Sequence, residues 1–287
     1  MKVALTGATG LVGHPVLRRL LGAGHEVTAF GRRPPDFGSR HRPWDLDTAA
    51  DLAGMNALVH AAFSHVPGRY RGGEGEDPDG FRRTNLHGTV ALFEAARKAG
   101  VGRVVFLSSR AVYGTHPPGT LLDETMTPEP DTLYGEVKLE AERALSAMSS
   151  KDFEVAVVRA TGIYGPPVPN VPHKWAQLFQ DHDEGVPISP RAGTEVHADD
   201  LARAILRLLE APSEALEPVV FNASDFTLDR RELLDLYACL KGIPARLPDA
   251  ADRAAVCAPG TQRLRRLGWS PMGPGALPAT LRALLSA

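Results

Sequence analysis

The chain has 287 residues, with 32 Lys plus Arg against 34 Asp plus Glu, a net charge of −2, and 43% hydrophobic residues. It is too long for a small stapled scaffold and too apolar for a wholly disordered chain, and its even charge offers no global basic field to nucleic acid or an acidic membrane surface. No apolar run approaches the roughly 18 residues of a membrane span, and two cysteines, Cys239 and Cys257, make no disulfide framework, so a reducing compartment is expected. After Met1-Lys2 the chain enters Val3-Ala4-Leu5 with no room for a secretory leader, and the expected location is the cytoplasm.

Apolar runs at 3–5, 27–30, 57–62, 104–107, 155–158 and 219–221 have the length of strands buried on both faces. Helical patterns lie between them: Leu17, Leu20 and Leu21, then Thr89, Leu92, Phe93 and Ala96, then Val137, Leu139, Ala141 and Leu145. Strand alternating with helix predicts an α/β fold, a Rossmann-type doubly wound parallel sheet with a smaller C-terminal substrate-binding region. The rhythm changes after Gly162, where Pro166, Pro167, Pro169 and Pro172 exclude regular helix and central strand. Further helices are expected at 198–210, 229–240 and near 277–285. The expected division is a dinucleotide-binding domain over 1–162 and a mainly substrate-binding region over 163–287, with elements at about 196–225 returning to the first.

Thr6-Gly7-Ala8-Thr9-Gly10-Leu11-Val12-Gly13 follows the first strand and opens the first helix. Gly7, Gly10 and Gly13 would permit the tight turn, the approach of backbone to a pyrophosphate and the packing of helix on strand, while the helix N-terminus supplies N–H donors. An ordinary glycine-rich turn is the plainer alternative. The second strand ends at Gly31-Arg32-Arg33, with no carboxylate where such a sheet meets the adenosine ribose. Gly31 leaves room for a 2′-phosphate that Arg32 and Arg33 could bind, which favours NADP with NAD still possible; the alternative is solvated loop charge. Asp45, ahead of Leu46 and Asp47, is either placed against the adenine amino group or a turn aspartate.

The fourth apolar run ends at Ser108-Ser109, and Tyr134 and Lys138 follow at i and i+4 of a helix pattern, so both side chains share one face. The ammonium would favour the phenolate and make Tyr134 a base, with Ser109 holding the substrate oxygen while hydride moves from carbon to nicotinamide. A surface helix pair is the bland reading of Tyr134 and Lys138. No histidine shows metal-ligand spacing and no metal is expected.

These residues resemble the extended short-chain dehydrogenase/reductases, the NAD-dependent epimerase/dehydratase family. Matching segments are 6–13, Val59-His60-Ala61-Ala62, Asn85-Leu86-His87-Gly88-Thr89, 108–114, Tyr134 with Lys138, Arg159 with Ile163-Tyr164-Gly165-Pro166, and Val196-His197-Ala198-Asp199-Asp200. The resemblance implies Ser109, Tyr134 and Lys138 as the catalytic trio, with Lys138 also on the nicotinamide ribose. It places Gly7, Thr9, Gly10, Leu11, Val12, Gly13, Arg32, Arg33, Asp45, Leu46, Ala61, Ala62 and Asn85 around the cofactor, Asn85 in a structural role that a helix cap would not contradict. It also implies a homodimer through the helices near 85–99 and 134–148. Two departures narrow the chemistry. Arg110-Ala111 stand where the family's dehydratases carry Asp-Glu, so dehydration is not expected. Gly162 stands where nucleotide-sugar enzymes carry an Asn that helps bind the diphosphate. The expected function is an NAD(P)-dependent oxidoreductase or epimerase acting on a secondary hydroxyl or carbonyl of a sugar-like small molecule. The alternatives are a reductase of non-sugar ketones or aldehydes, or a non-catalytic NADP-binding sensor. Among weaker features, His197 with Asp199 and Asp200 suits a helix N-cap, 67–80 reads as a mobile loop at the cleft rim, and Trp175 serves either a sugar ring or the core.

Overall fold

Apolar residues at alternate positions of each strand face opposite sides, and helices on both sides explain why neither side is polar. The computed structural model describes residues 1–66 and 73–286. In chain order the elements are β1 (Lys2–Thr6), α1 (Gly13–Gly22), β2 (Glu26–Gly31), β3 (Arg40–Pro43), β4 (Ala57–His60), α2 (Pro78–Arg82), α3 (Gly88–Lys98), β5 (Arg103–Ser109), α4 (Leu133–Ala147), β6 (Glu154–Ala160), β7 (Gly162–Tyr164) and α5 (Ala176–Glu184). They continue with β8 (Ala192–His197), α6 (Ala198–Glu210), β9 (Val220–Ala223), β10 (Phe226–Asp229), α7 (Arg230–Lys241), α8 (Gln262–Arg266) and α9 (Leu277–Leu285). One sheet has seven parallel strands in the order β3-β2-β1-β4-β5-β6-β9, and a smaller one runs β10-β8-β7. The expected Rossmann-type architecture is present, and no helix among the described residues is long and apolar enough to cross a membrane.

Val3 and Leu5 of β1, Val105 and Leu107 of β5, and Ala156 and Val158 of β6 pack with α1 and α6 on one side. On the other, Ala4, Val104, Phe106, Val155 and Val157 meet Phe93 of α3 and Val137, Ala141 and Leu145 of α4. A third cluster gathers Tyr164, Trp175, Phe179, Leu233, Tyr237 and Leu281 under the small sheet. The apolar signal found most strands but missed β3, whose Arg-His-Arg-Pro sequence belongs to an edge strand with little to bury. It also missed the small sheet, α2 and α5, each short or mixed in polarity.

Several local expectations change. The strand expected over 57–62 stops at His60 because the N–H groups of Ala61 and Ala62 turn to donate to Thr6 Oγ1. Of the expected rim loop over 67–80, residues 67–72 lie outside the described residues and the last three open α2, capped by the Asp77 carboxylate. Trp175 is only 6% exposed, its ring 5.3 Å from that of Tyr164, so it belongs to the core. His197 is the N-cap of α6, its Nδ1 accepting from Asp199 N–H at 3.1 Å. The C-terminal segment ties back to α6 and to the turn between β9 and β10: Trp269 Nε1 donates to the Asp200 carbonyl at 2.8 Å, and the N–H groups of Met272 and Gly273 donate to the Asp200 and Asp225 carboxylates at 3.0 and 2.8 Å.

Between α4 and the sheet lies a buried ion pair. Glu142 and Arg159 are 3% and 4% exposed; Arg159 Nη2 donates to Glu142 Oε2 at 2.7 Å and Nε lies 3.1 Å from both carboxylate oxygens, while Ser108 Oγ donates to Oε1. The guanidinium sits 4.8 Å over the Tyr113 ring, and Tyr113 Oη donates to Asn222 Oδ1 at 2.8 Å. Charges so deeply desolvated stand only as a set. Glu142→Leu alone should destabilise the chain by about 3–5 kcal/mol in urea unfolding because it strands the Arg159 charge. Adding Arg159→Met should restore most of that loss, and equal losses in the single and double variants would contradict this account.

Candidate active site

In the large sheet the strand order reverses between β1 and β4, the switch point outside whose strand C-termini sheets of this kind bind their ligands. Gly7 follows β1 at φ 72°, and a Cβ there would stand 2.8 Å from Ala61 C and Ala62 N, so the two strand ends cross at a place only glycine allows. Thr6 fixes that crossing. Its Oγ accepts from Ala61 and Ala62 N–H, both at 3.1 Å, and so directs its own proton to His60 Nδ1 at 2.7 Å, which makes His60 Nε2 the donor to Thr89 Oγ1 at 3.0 Å. Burial, with the Lys138 charge adding to it, holds the His60 imidazolium down to about 3, so the ring is a neutral strut.

Thr9 is exposed, and Gly10, Leu11 and Val12 are half-buried at the start of α1. The N–H groups of Leu11 and Val12 have no protein acceptor among the described residues, and a Cβ on Gly10 would touch nothing nearer than the Gly7 carbonyl oxygen at 3.4 Å. Gly13 is needed for packing instead, since its Cβ would overlap the Gly7 carbonyl group. Open donors beside an uncrowded turn fit a pyrophosphate, and these residues would hold one. At the end of β2, Arg32 and Arg33 are exposed, and Gly31 O accepts from Trp44 N–H at 3.2 Å and His41 Nε2 at 2.9 Å. Asp45 Oδ1 accepts from Asp47 N–H at 3.1 Å, the turn role, while Leu46 is 8% exposed with its side chain in the core, which leaves only its backbone to face a ligand.

Ser109 ends β5 in register with Ala160 of β6. Its Oγ accepts from Ala111 N–H at 3.1 Å and caps the short turn Arg110–Tyr113, which leaves the hydroxyl proton to donate outward. Helix α4 begins at a Thr132 cap whose Oγ1 accepts from Gly135 N–H at 3.1 Å. A Cβ on Gly135 would stand 2.5 Å from the Ala111 carbonyl oxygen, so a bare backbone lets the first turn of α4, carrying Tyr134, close on the turn that follows Ser109. Tyr134 is half-buried, and Lys138 one turn on is 4% exposed. Lys138 Nζ donates to the Leu107 carbonyl at 2.8 Å and lies 4.4 Å from the Phe63 ring and 4.8 Å from Phe106. Burial, partly offset by the Glu142 carboxylate, holds its ammonium down to about 7. The structure thus brings together Ser109, Tyr134 and Lys138 beside Ala61 and Ala62, with Arg32, Arg33 and Asp45 further along the same sheet edge.

Two residues escaped the sequence reading. Phe63 packs edge-on against Tyr134 at 5.1 Å as well as against Lys138; its position just after Ala61-Ala62 was the only signal available. Glu142, at i+4 from Lys138, could have been found by continuing the Tyr134–Lys138 face one more turn. Asn85 is not a cap: it sits inside the π-helical turn Arg83–His87, where Oδ1 accepts from Ser64 N–H and Nδ2 donates to Ser64 O, both at 2.7 Å, fastening the loop that follows Phe63. No three His, Cys, Asp or Glu side chains gather as metal ligands among the described residues.

A family model described as "NAD dependent epimerase/dehydratase family" matches residues 3–224. The chain belongs to this family. UDP-glucose 4-epimerase from Vibrio cholerae is 31% identical over 243 residues, 78% of this chain and 70% of that protein. Sterol demethylase protein B from Methylococcus capsulatus is 33% identical over 179 residues, 58% of this chain and 52% of that protein. Among solved structures, MoeE5 in complex with UDP-glucuronic acid and NAD matches with TM-score 0.82 at 25% identity, over 100% of this chain and 99% of that chain. Membership of an NAD-dependent family accords with the open pyrophosphate turn.

Lys138 gives the site a measurable signature. Its value near 7 lies below the ordinary 10.5, so between about pH 7 and 10 the unfolded chain binds the additional proton and this group's contribution to stability rises with pH. Urea unfolding of the cofactor-free protein should show a difference in slope against Lys138→Met approaching 1.4 kcal/mol per pH unit in that window. Parallel slopes would mean that Lys138 is solvated.

Proposed function

We propose that this member of the family is an NAD(P)-dependent oxidoreductase or epimerase acting on a secondary hydroxyl, or the matching carbonyl, of a sugar-like small molecule. Bound NAD(P) would supply a two-electron redox partner for a carbon centre. Ser109 donates its hydroxyl proton to the substrate oxygen and fixes it. Tyr134 moves the proton on that oxygen, and Lys138, desolvated beneath it, favours the ionised phenol when charged. Phe63 covers Tyr134 and Lys138 together and keeps water from them. The observation that carries this reading is the closure of the Tyr134 turn on the turn after Ser109 at the crevice edge, made possible by Gly135 against the Ala111 carbonyl. Tyr134→Phe should lower turnover by about 10²–10⁴-fold across a panel of sugars, ketones and aldehydes with an unchanged far-UV spectrum. Undiminished activity in the variant would refute the assignment of the base.

For the cofactor we propose NADP in preference to NAD. Exposed Arg32 and Arg33 follow a half-buried Gly31, and no carboxylate at that strand end would repel a 2′-phosphate. NAD is what the MoeE5 complex contains, so it is the reading to beat. Arg32→Ala with Arg33→Ala should weaken NADP binding about tenfold or more and leave NAD binding within about twofold, as expected for loss of charge-assisted bonds. Tighter binding of NAD than NADP by the parent chain would reverse the preference.

A reductase of non-sugar ketones or aldehydes is the second reading. It is favoured by the missing side chain at Gly162 and by the similarity to a protein named for sterol demethylation. The same panel separates the two.

A further inference from the structure

Gly162 lies two residues past Ala160, the register partner of Ser109, and therefore within about 7 Å of it along the chain. On the redox reading, a substrate held by Ser109 at the end of β5 and by Tyr134 would extend past the neighbouring end of β6 toward Gly162. The space that a side chain at 162 would take is filled: a Cβ there would overlap Lys174 Nζ and stand 2.8 Å from Glu195 Oε2 and 2.9 Å from the Thr194 carbonyl oxygen. Lys174 Nζ and Glu195 Oε2 form an ion pair over this bare backbone, their side chains 26% and 10% exposed. Glu195 faces Gly162 across the β7–β8 register, and Lys174 is held next to Trp175, whose ring is 5.8 Å from Nζ and anchored in the core.

Among the described residues each partner hydrogen-bonds only to the other through its side chain. Two ammonium donors and one carboxylate oxygen are therefore left for something else. Burial pushes Lys174 down and Glu195 up, the mark of charges short of solvation, and Arg191 is the remaining charge acting on both. An incoming group that donates and accepts would restore that solvation. A hydroxyl does both. A phosphate at neutral pH is chiefly an acceptor and would meet the Glu195 carboxylate.

We propose that the Lys174–Glu195 pair, seated where residue 162 has no side chain, is the specificity clamp of the site: it binds neighbouring hydroxyls of an uncharged polyol or glycoside and excludes a nucleoside diphosphate. This rests on the redox reading above and narrows its substrate class. Lys174 and Glu195 are binding residues here, not catalytic ones.

The test has two arms. In the first, UDP-glucose affinity is measured by calorimetry with the NADP-loaded protein. Glu195→Gln removes the repelling charge and should tighten binding about tenfold, while Lys174→Met leaves that charge unbalanced and should weaken it, a divergence that mere structural damage would not produce. In the second, turnover of uncharged polyols and methyl glycosides is followed, and both variants should raise KM about tenfold with kcat held within about threefold. Should Lys174→Met fail to fold, Glu195→Gln carries both arms. Unchanged UDP-glucose affinity in Glu195→Gln, or polyol KM equal to the parent's in the variants, overturns the clamp. So does a parent chain that turns over UDP-glucose in preference to every uncharged member of the panel. If Tyr134→Phe abolishes turnover while the clamp variants behave as the parent, the clamp fails and the redox reading stands; the calorimetric arm needs no turnover and decides the clamp even if the redox reading fails.

Discussion

The Glu142–Arg159 contact is the constraint on which the rest depends. Tyr134, Lys138 and Glu142 follow one another at i, i+4 and i+8 on α4, so whatever fixes the last fixes the stripe. Glu142 is held by Arg159 from β6 and Ser108 from β5, two adjacent strands, and this sets both the rotation of α4 about its axis and its height above the sheet. The carboxylate also acts electrically. It opposes the burial that pulls the Lys138 ammonium down, so a single anion both sets the lysine's helix in place and favours its charge.

The crevice is built by an economy of side chains. At Gly7 and Gly135 the absence of a Cβ lets backbone segments from distant parts of the chain meet, at Ala61-Ala62 in the first case and at Ala111 in the second. Thr6 and His60 then hold the first meeting rigid through hydroxyl and imidazole bonds that leave no titratable switch in the neutral range. Binding groups consequently project from a frame whose own polar atoms are satisfied, the condition for geometry good to a fraction of an ångström.

Much of this was legible in the sequence because it followed from period and punctuation. Strands buried on both faces appear as unbroken apolar runs, the helix at Ala198–Glu210 carries its cap and apolar stripe in plain view, and the last helix at Leu277–Leu285 its apolar stripe. The candidate trio Ser109, Tyr134 and Lys138 could be picked out because helix spacing and a strand end are local features. What stayed hidden depends on meetings across the fold. Lys174 and Glu195 are 21 positions apart and make sense only once Gly162 is known to leave a space between them. That the Leu46 side chain packs in the core, and that Asn85 braces a loop across a widened helical turn rather than capping a helix, show only in the folded chain. The small sheet was missed because strands of three to six mixed residues give no period strong enough to read.

The far end of the chain bears on this as well. The Asp225 carboxylate accepts from Gly273 N–H, and Asp200, fully buried, depends on Met272 N–H for one of its oxygens. A chain cut ahead of Trp269 would take these donors from the buried Asp200, leaving it Arg203 alone, and from the half-buried Asp225. The closing segment is thus an integral brace of the fold rather than a tail hung upon it, and affinity handles or fusions are better appended after it than substituted for it.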